Sequence, residues 1–294
     1  MYISARGAVK DDWNILAMAT NSTSSEERPE RLAFVRPLAL PGIEMLSVYD
    51  SNRGWHVFHE HYAVCALRTA AAGWRYRGRN HVLEDGISML VEPGEVHRNT
   101  WVAKPADFKV VFVDPDVFAS AAKELGVRAT PHFTVAQTEN PVLLQAAYAL
   151  VTSVETDATL LEQQTRLAEC VRLMLGHVER RPHAPREGRP QWPVRRAQAY
   201  LREHFREPVS LAELAANSRM SPFHLARTFE RQVGLPPHAY QMHVRVEEAR
   251  RLLARGMSAG AAAARTGFAD PSHFARWFKR IMYVTPREYL RAVR

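Results

Sequence analysis

The chain has only two cysteines in 294 residues, Cys65 and Cys170, far apart in sequence. That scarcity excludes a disulfide-stapled fold and a cysteine zinc site. No apolar run approaches the roughly 18 residues that span a bilayer, so no membrane helix is expected and the cytoplasm is the expected location. The first twenty residues carry Asp11 and Asp12 and lack the basic-then-apolar order of a secretory signal. Neither a glycine-rich phosphate loop nor a nucleophile with a neighbouring base is evident. The expectation is therefore a non-enzyme with no catalytic residue, no cofactor and no metal. An acidic excess is lacking too, since the formal net charge is +8.

The positive charge is not spread evenly. Residues 194–294 hold 18 Lys and Arg against 8 Asp and Glu, while the preceding residues hold 21 against 23. A segregated basic region suits a polyanion, because neutralising phosphates releases condensed counterions. Ahead of it, residues 180–193 contain four prolines and one glycine and no apolar period, the chemistry of a stiff linker. The chain is thus expected to divide into domain 1–179, linker 180–193 and domain 194–294.

Within the first domain, short strands are expected at Ile43–Tyr49, Tyr62–Thr69, Trp74–Arg77, Ile87–Val91, His97–Val102 and Phe108–Val113. Turn residues such as Gly73, Gly78, Gly86 and Gly94 separate them, a spacing typical of a sandwich or a barrel over about 43–114. Helices are expected over about 115–179. There Leu160, Gln164, Leu167, Val171 and Met174 recur at helical intervals, a seam that either packs on its own domain or pairs two subunits.

The last third contains an internal repeat offset by 49 residues. Over 211–240 against 260–289, ten of thirty positions are identical, among them Pro222/Pro271, His224/His273, Ala226/Ala275, Arg227/Arg276 and Phe229/Phe278. Each copy places an N-cap residue, Ser221 or Asp270, before a proline at the first helical position. A short helix precedes each, capped by the Ser210…Glu213 box or by Ser258. Leu225, Phe229 and Val233, like Phe274, Phe278 and Met282, fall on one helical face and are expected in the core. The opposite faces carry Phe223, His224, Ala226, Arg227 and Arg231, and Ser272, His273, Ala275, Arg276 and Lys279. Small, polar and basic side chains of this kind suit entry into a major groove. Arg231, Lys279 and Arg280 are expected to meet phosphates. Between the copies, Ala239–Arg255 is expected to form a helix of ~25 Å, placing the two units about one DNA turn apart. Arg245, Arg250, Arg251 and Arg255 on or near it are either phosphate contacts or ordinary surface charges.

These residues resemble the DNA-binding domain of the AraC/XylS family. The marks are Leu211-Ala-Glu-Leu-Ala215, Met220–Phe229, Gly234, Arg245…Ala249…Leu252-Leu253, Gly267–Lys279 and Thr285-Pro286…Tyr289, across about 195–292. The resemblance implies two helix-turn-helix units, about 211–232 and 259–281, that read double-stranded DNA, with base contacts chiefly from Phe223, Ala226 and Arg227, then Pro271, Ser272, Ala275 and Arg276. In two places the sequence departs from the family: Tyr283 stands where a glycine is usual, and Gly260–Ala264 replaces bulkier residues. The second unit is accordingly expected to be less stable or less stringent. More weakly, His59-Glu-His61-Tyr62, Gly73…Gly78, Asp85-Gly86 and Glu92–His97 are similar to the family's cupin-like sensor domain. The implied fold is α+β in two domains, a cupin-like β-barrel with trailing helices and an all-α tandem helix-turn-helix. The resemblance also implies a small-molecule effector, a homodimer and, if the protein activates transcription, contact with RNA polymerase.

His59, His61 and His97 are similar to the histidines of metal cupins, and imidazoles one residue apart on a strand share a face. No acid follows His61 at ligand spacing, however, so these histidines are expected to be structural or to touch the effector. Tyr62, Trp74 and Tyr76 join them as candidate pocket residues, with core packing as the alternative for the aromatics. Rival readings are a metal-cupin enzyme fused to a DNA-binding domain, an alkyl-transfer repair protein, and a regulator governed by a protein partner.

Overall fold

The structure is a computed structural model that describes residues 30–127, 129–179 and 191–292. Most of the expected linker, residues 180–190, lies outside the described residues. Its last two residues already belong to a helix, for α4 begins at Trp192.

Strands β1 (Arg31–Val35), β2 (Ile43–Ser51), β3 (His56–Val57), β4 (Tyr62–Tyr76), β5 (Arg79–Leu83), β6 (Ser88–Val91), β7 (His97–Val113) and β8 (Gln137–Thr138) form one antiparallel sheet. The order is β1-β2-β7-β4-β6-β8, with β3 on β7 and β5 on β4. β4 and β7 form its spine at 15 and 17 residues, each merging two of the expected short strands. Gly73 misled the sequence reading. It is no turn: a Cβ there would lie 2.3 Å from the Trp101 indole nitrogen, so glycine leaves room for that side chain. Register shifts between Leu67 and Trp74 mark bulges, which bend long strands around an interior.

Both faces of β4 are buried, and its side chains alternate between two cores. Tyr62, Val64 and Ala66 meet the helices, whereas Ala63, Cys65 and Leu67 face the interior of the sheet. The covering helices are α1 (Pro115–Glu124), α2 (Pro141–Glu155) and α3 (Leu160–Leu175). Asn140 starts α2 by accepting from the Val142 and Leu143 amides ahead of Pro141. On α3 the expected seam is split. Val171 and Met174 are buried against the same domain, while Leu160 is 51% exposed and Gln164 is also exposed.

The C-terminal domain consists of α4 (Trp192–Glu203), α5 (Leu211–Asn217), α6 (Pro222–Val233), α7 (Pro237–Ala254), α8 (Ala259–Arg265), α9 (Pro271–Met282) and α10 (Pro286–Ala292). Two cores form, one per repeat. α7 serves both, giving Tyr240 and Val244 to the first and Met242, Val246, Ala249 and Leu253 to the second. The Ser210–Glu213 capping box forms, and Ser258 and Asp270 cap their helices. Ser221 makes no side-chain cap bond; its carbonyl alone accepts, from the Leu225 amide at 2.9 Å. Both α6 and α9 end on a left-handed residue, Gly234 in the first copy and Tyr283 in the second.

Arg245 is not a phosphate contact. It is buried and donates to the carbonyls of Phe205 (2.6 Å), Glu207 (3.0 Å) and Gly267 (2.6 Å). One guanidinium thus ties the α4–α5 loop of the first unit to the α8–α9 turn of the second. Arg245→Ala removes the donors of three carbonyls and is expected to destabilise the protein by about 2–4 kcal/mol. Urea unfolding checks this, and a loss under about 0.5 kcal/mol, the range of ordinary surface substitutions, contradicts it.

Candidate DNA interface and sensor cavity

On α6, Phe223 is 89% exposed, and His224, Arg227 and Arg231 are also exposed, with Ala226 half-buried. On α9, Pro271, Ser272, Arg276, Lys279 and Arg280 are exposed. Ala275 is half-buried like Ala226, but His273 is less available than its equivalent His224: it accepts from the Trp277 indole at 3.0 Å, so its Nε2 is already engaged. Arg280 lies over the Trp277 ring at 5.1 Å. The two helices nonetheless present matching arginines, Arg227 and Arg276, on equivalent open faces.

The interior of the curled sheet holds a cavity of about 150 Å³. Its walls are mostly apolar, from Leu46, Ala63, Cys65, Leu67, Met89, Phe108 and Val110 among others. Four of the six expected pocket residues line it: His59, His61, Trp74 and His97. The other two do not. Tyr62 turns to the helix side, donates to the Pro131 carbonyl at 2.7 Å and stacks on Phe118. Tyr76 lies behind Trp74, stacked at 5.0 Å, and its hydroxyl accepts from the Glu92 amide. Among the described residues no three His, Cys, Asp or Glu side chains converge to hold a metal.

The C-terminal domain closes this cavity. Glu247 and Arg250 of α7, and Ile281 to Val284 at the end of α9, belong to its lining. Arg250 is 3% exposed and pairs with Glu44 of β2 and, at 3.0 Å, with Glu247. It also donates to the His61 ring at 3.3 Å. Burial opposes its charge, but Glu247 and Glu44 hold its pKa well above the ordinary value. Burial raises the Glu247 carboxyl, with Arg250 pulling the other way. Arg250 is thus an interface residue, not a phosphate contact. Of the remaining α7 candidates, Arg251 pairs with Glu248 at 2.6 Å and Arg255 stays exposed.

A single segment, residues 53–58, touches the C-terminal ends of both α6 and α9. The His56 Nε2 meets the carbonyl of Gly234, the C-cap of α6, at 3.0 Å. Tyr283, the C-cap of α9, packs on Trp55 at 4.2 Å beneath the Arg53 guanidinium at 4.5 Å. Phe58 reaches from the sheet domain into the helical one. It is buried in the first helical core and stacks on Tyr240 and His243. Alongside, Arg202 joins Glu60 at 2.6 Å and the Tyr240 hydroxyl at 2.8 Å. Apart from the cavity histidines, these partners were invisible to sequence reasoning because nothing local marks a side chain that inserts into another domain.

Residues 214–292 match the family described as a helix-turn-helix domain. The chain is 25% identical over 221 residues to the HTH-type transcriptional regulator YbfI of Bacillus subtilis, covering 74% of this chain and 79% of that protein. It is 32% identical over 98 residues to the HTH-type transcriptional regulator YisR of the same organism, spanning only 34% of that protein. In fold it is similar to an apo point variant of ToxT from Vibrio cholerae, with a TM-score of 0.50 at 13% identity over 87% of this chain and 99% of that one.

The interface buries neutral histidines, which sets its response to acid. Burial above all lowers His56 to about 4, with Arg98 adding to it; burial lowers His97 to about 4 and His243 to about 3. An unfolded chain takes up these protons near pH 6.5, whereas the folded one does not. Stability from these groups is therefore fully present above pH 6.5 and is lost as pH falls toward about 4. The melting temperature is expected to fall steeply between about pH 6.5 and 4.5, each such histidine steepening the loss by about 1 kcal/mol per pH unit. His243→Phe should flatten that slope; an unaltered slope contradicts the assignment.

Proposed function

We propose that this chain, whose residues 214–292 match a helix-turn-helix domain, is a sequence-specific transcription regulator of the AraC type, controlled by a small molecule in its sheet domain. The observation that carries the DNA reading is the repeated basic face of α6 and α9, exposed in both copies. In this reading Phe223, His224, Ala226 and Arg227, then Pro271, Ser272, Ala275, Arg276 and the free edge of His273, meet base edges, while Arg231, Lys279 and Arg280 meet phosphates. The names of the relatives, transcriptional regulators both, support regulation over catalysis.

Control by an effector is supported by the position of the cavity. Its walls include residues of the 53–58 segment and the end of α9, so an occupant presses on parts that touch both DNA-facing helices. Binding shifts the domain arrangement only by its differential affinity for the two arrangements. Pairing of two chains through α2 and α3 belongs to the same proposal. The first turn of α3 leaves Leu161 75% exposed, and Val142 of α2 is half exposed. Contact with RNA polymerase follows if the regulator activates.

Two experiments test this. In gel shifts with a genomic fragment selected by the purified protein, Arg227→Ala and Arg276→Ala should each cost about 1–3 kcal/mol of binding. Wild-type affinity from both refutes the assignment. Trp55→Ala and Tyr283→Gly leave the DNA faces intact but release the end of α9. Each is expected to change operator affinity several-fold, and unaltered affinity in both removes the proposed coupling.

A further inference from the structure

We infer that the cavity takes an uncharged, mostly apolar molecule with one hydrogen-bond donor, a phenol or compact alcohol, whose donor meets the Nε2 atoms of His59 and His97. This rests on the effector reading above and names the chemical class that the site selects. The two imidazoles set the class. The His59 Nδ1 lies 2.9 Å from the His61 carbonyl, and the His97 Nδ1 lies 3.2 Å from the Glu95 carbonyl. A carbonyl only accepts, so each Nδ1 carries the proton. A neutral imidazole has a single N–H, and each Nε2 is therefore left as a bare acceptor. Burial keeps both rings neutral, lowering His59 well below the ordinary value and His97 to about 4.

The two rings meet edge to face with centroids 5.4 Å apart, so both belong to one patch of the cavity wall. Phe112 and Trp74 flank the patch at 5.0 Å from His59 and 6.3 Å from His97. Two adjacent lone pairs repel a carboxylate or a phosphate and ask for a donor. The guanidiniums that border the cavity do not reverse this. Arg250 is held by Glu44 and Glu247, Arg53 is paired with Glu30, and Arg98 is exposed. A sugar fits no better, because apolar walls leave most of its hydroxyls without partners. A first-row metal usually takes three protein ligands, and no third His, Cys, Asp or Glu joins this pair among the described residues. The size agrees as well, since a cavity of about 150 Å³ is one that accepts a single aromatic ring.

Calorimetric titration of the full-length protein with 4-ethylphenol, 4-ethylanisole and 4-ethylbenzoate separates the classes. The phenol is expected to bind one per chain, the ether at least about tenfold more weakly, and the benzoate more weakly still. In His59→Phe and His97→Phe, which keep a ring but remove the acceptor, the preference for phenol over ether should collapse toward one. Benzoate binding as tightly as the phenol, ether matching phenol in the wild type, or no binding by any probe overturns the inference. A gel shift with the selected genomic fragment, run with and without the phenol, tests the underlying reading separately. Phenol that binds yet leaves DNA affinity unaltered supports the ligand class and removes the effector role. Intact DNA binding with no probe bound overturns the ligand class and leaves the DNA reading standing.

Discussion

Burial of one guanidinium governs how the two domains sit together. Arg250 is withdrawn from water between a carboxylate of the sheet domain, Glu44, and one of its own helix, Glu247, with His61 as a further acceptor. Desolvating such a group costs several kcal/mol, offset only where the partners meet it in good geometry. If the helical domain shifted or rotated, Arg250 would keep Glu247 but lose Glu44 and His61, leaving the buried Glu44 carboxylate without its guanidinium. The pair therefore acts less as glue than as a register mark that favours this seating. Phe58, buried in the first helical core, fixes the same seating by shape.

From that seating the remaining contacts follow along α7. One helix supplies a face to each repeat core and carries both Arg245 and Arg250 inward. Two of its four candidate phosphate contacts are thus committed to structure: Arg245 closes the ring of carbonyls between the two units, and Arg250 anchors the unit pair to the sheet. The basic character of the C-terminal domain is not uniform either. What reaches solvent as an organised, repeated surface is confined to α6 and α9, which is why the proposal assigns base reading to those helices alone.

Much of this was legible in the sequence, and the losses have specific causes. The repeat exposed both helix-turn-helix units because caps, N1 prolines and an apolar face at helical spacing are local features. The sheet domain was legible as strands, but Gly73 marks the crossing of Trp101 and not a turn, so β4 was expected in two pieces; β7 was expected in two pieces because the polar, proline-containing stretch Ala103-Lys-Pro-Ala-Asp107 hides its continuity. His59, His61 and His97 line the cavity. Tyr62 and Tyr76 do not; a two-residue period places a side chain on one face or the other without saying which face holds the cavity. Arg245 and Arg250 could not be assigned from the sequence at all. A basic residue on an amphipathic helix looks the same whether it meets phosphate, water or a buried carboxylate far away in the chain.

The two repeats are alike on their open, arginine-bearing faces and unlike where they meet the sheet domain. At the end of α6 the left-handed position is glycine, the residue that adopts it without strain, and His56 of the sheet domain reaches its carbonyl. At the end of α9 the same position is Tyr283 at φ 60°, a conformation that costs a non-glycine residue on the order of 1 kcal/mol. That cost has a counterpart in the ring, which lies against Trp55 under Arg53 and forms part of the cavity wall. A glycine there would relax the backbone and leave the cavity without that wall. The departure from the usual residue thus coincides with the point where the cavity meets the end of α9. The asymmetry makes α9 the helix whose end an occupant of the cavity touches directly, while α6 is reached only through the segment at His56.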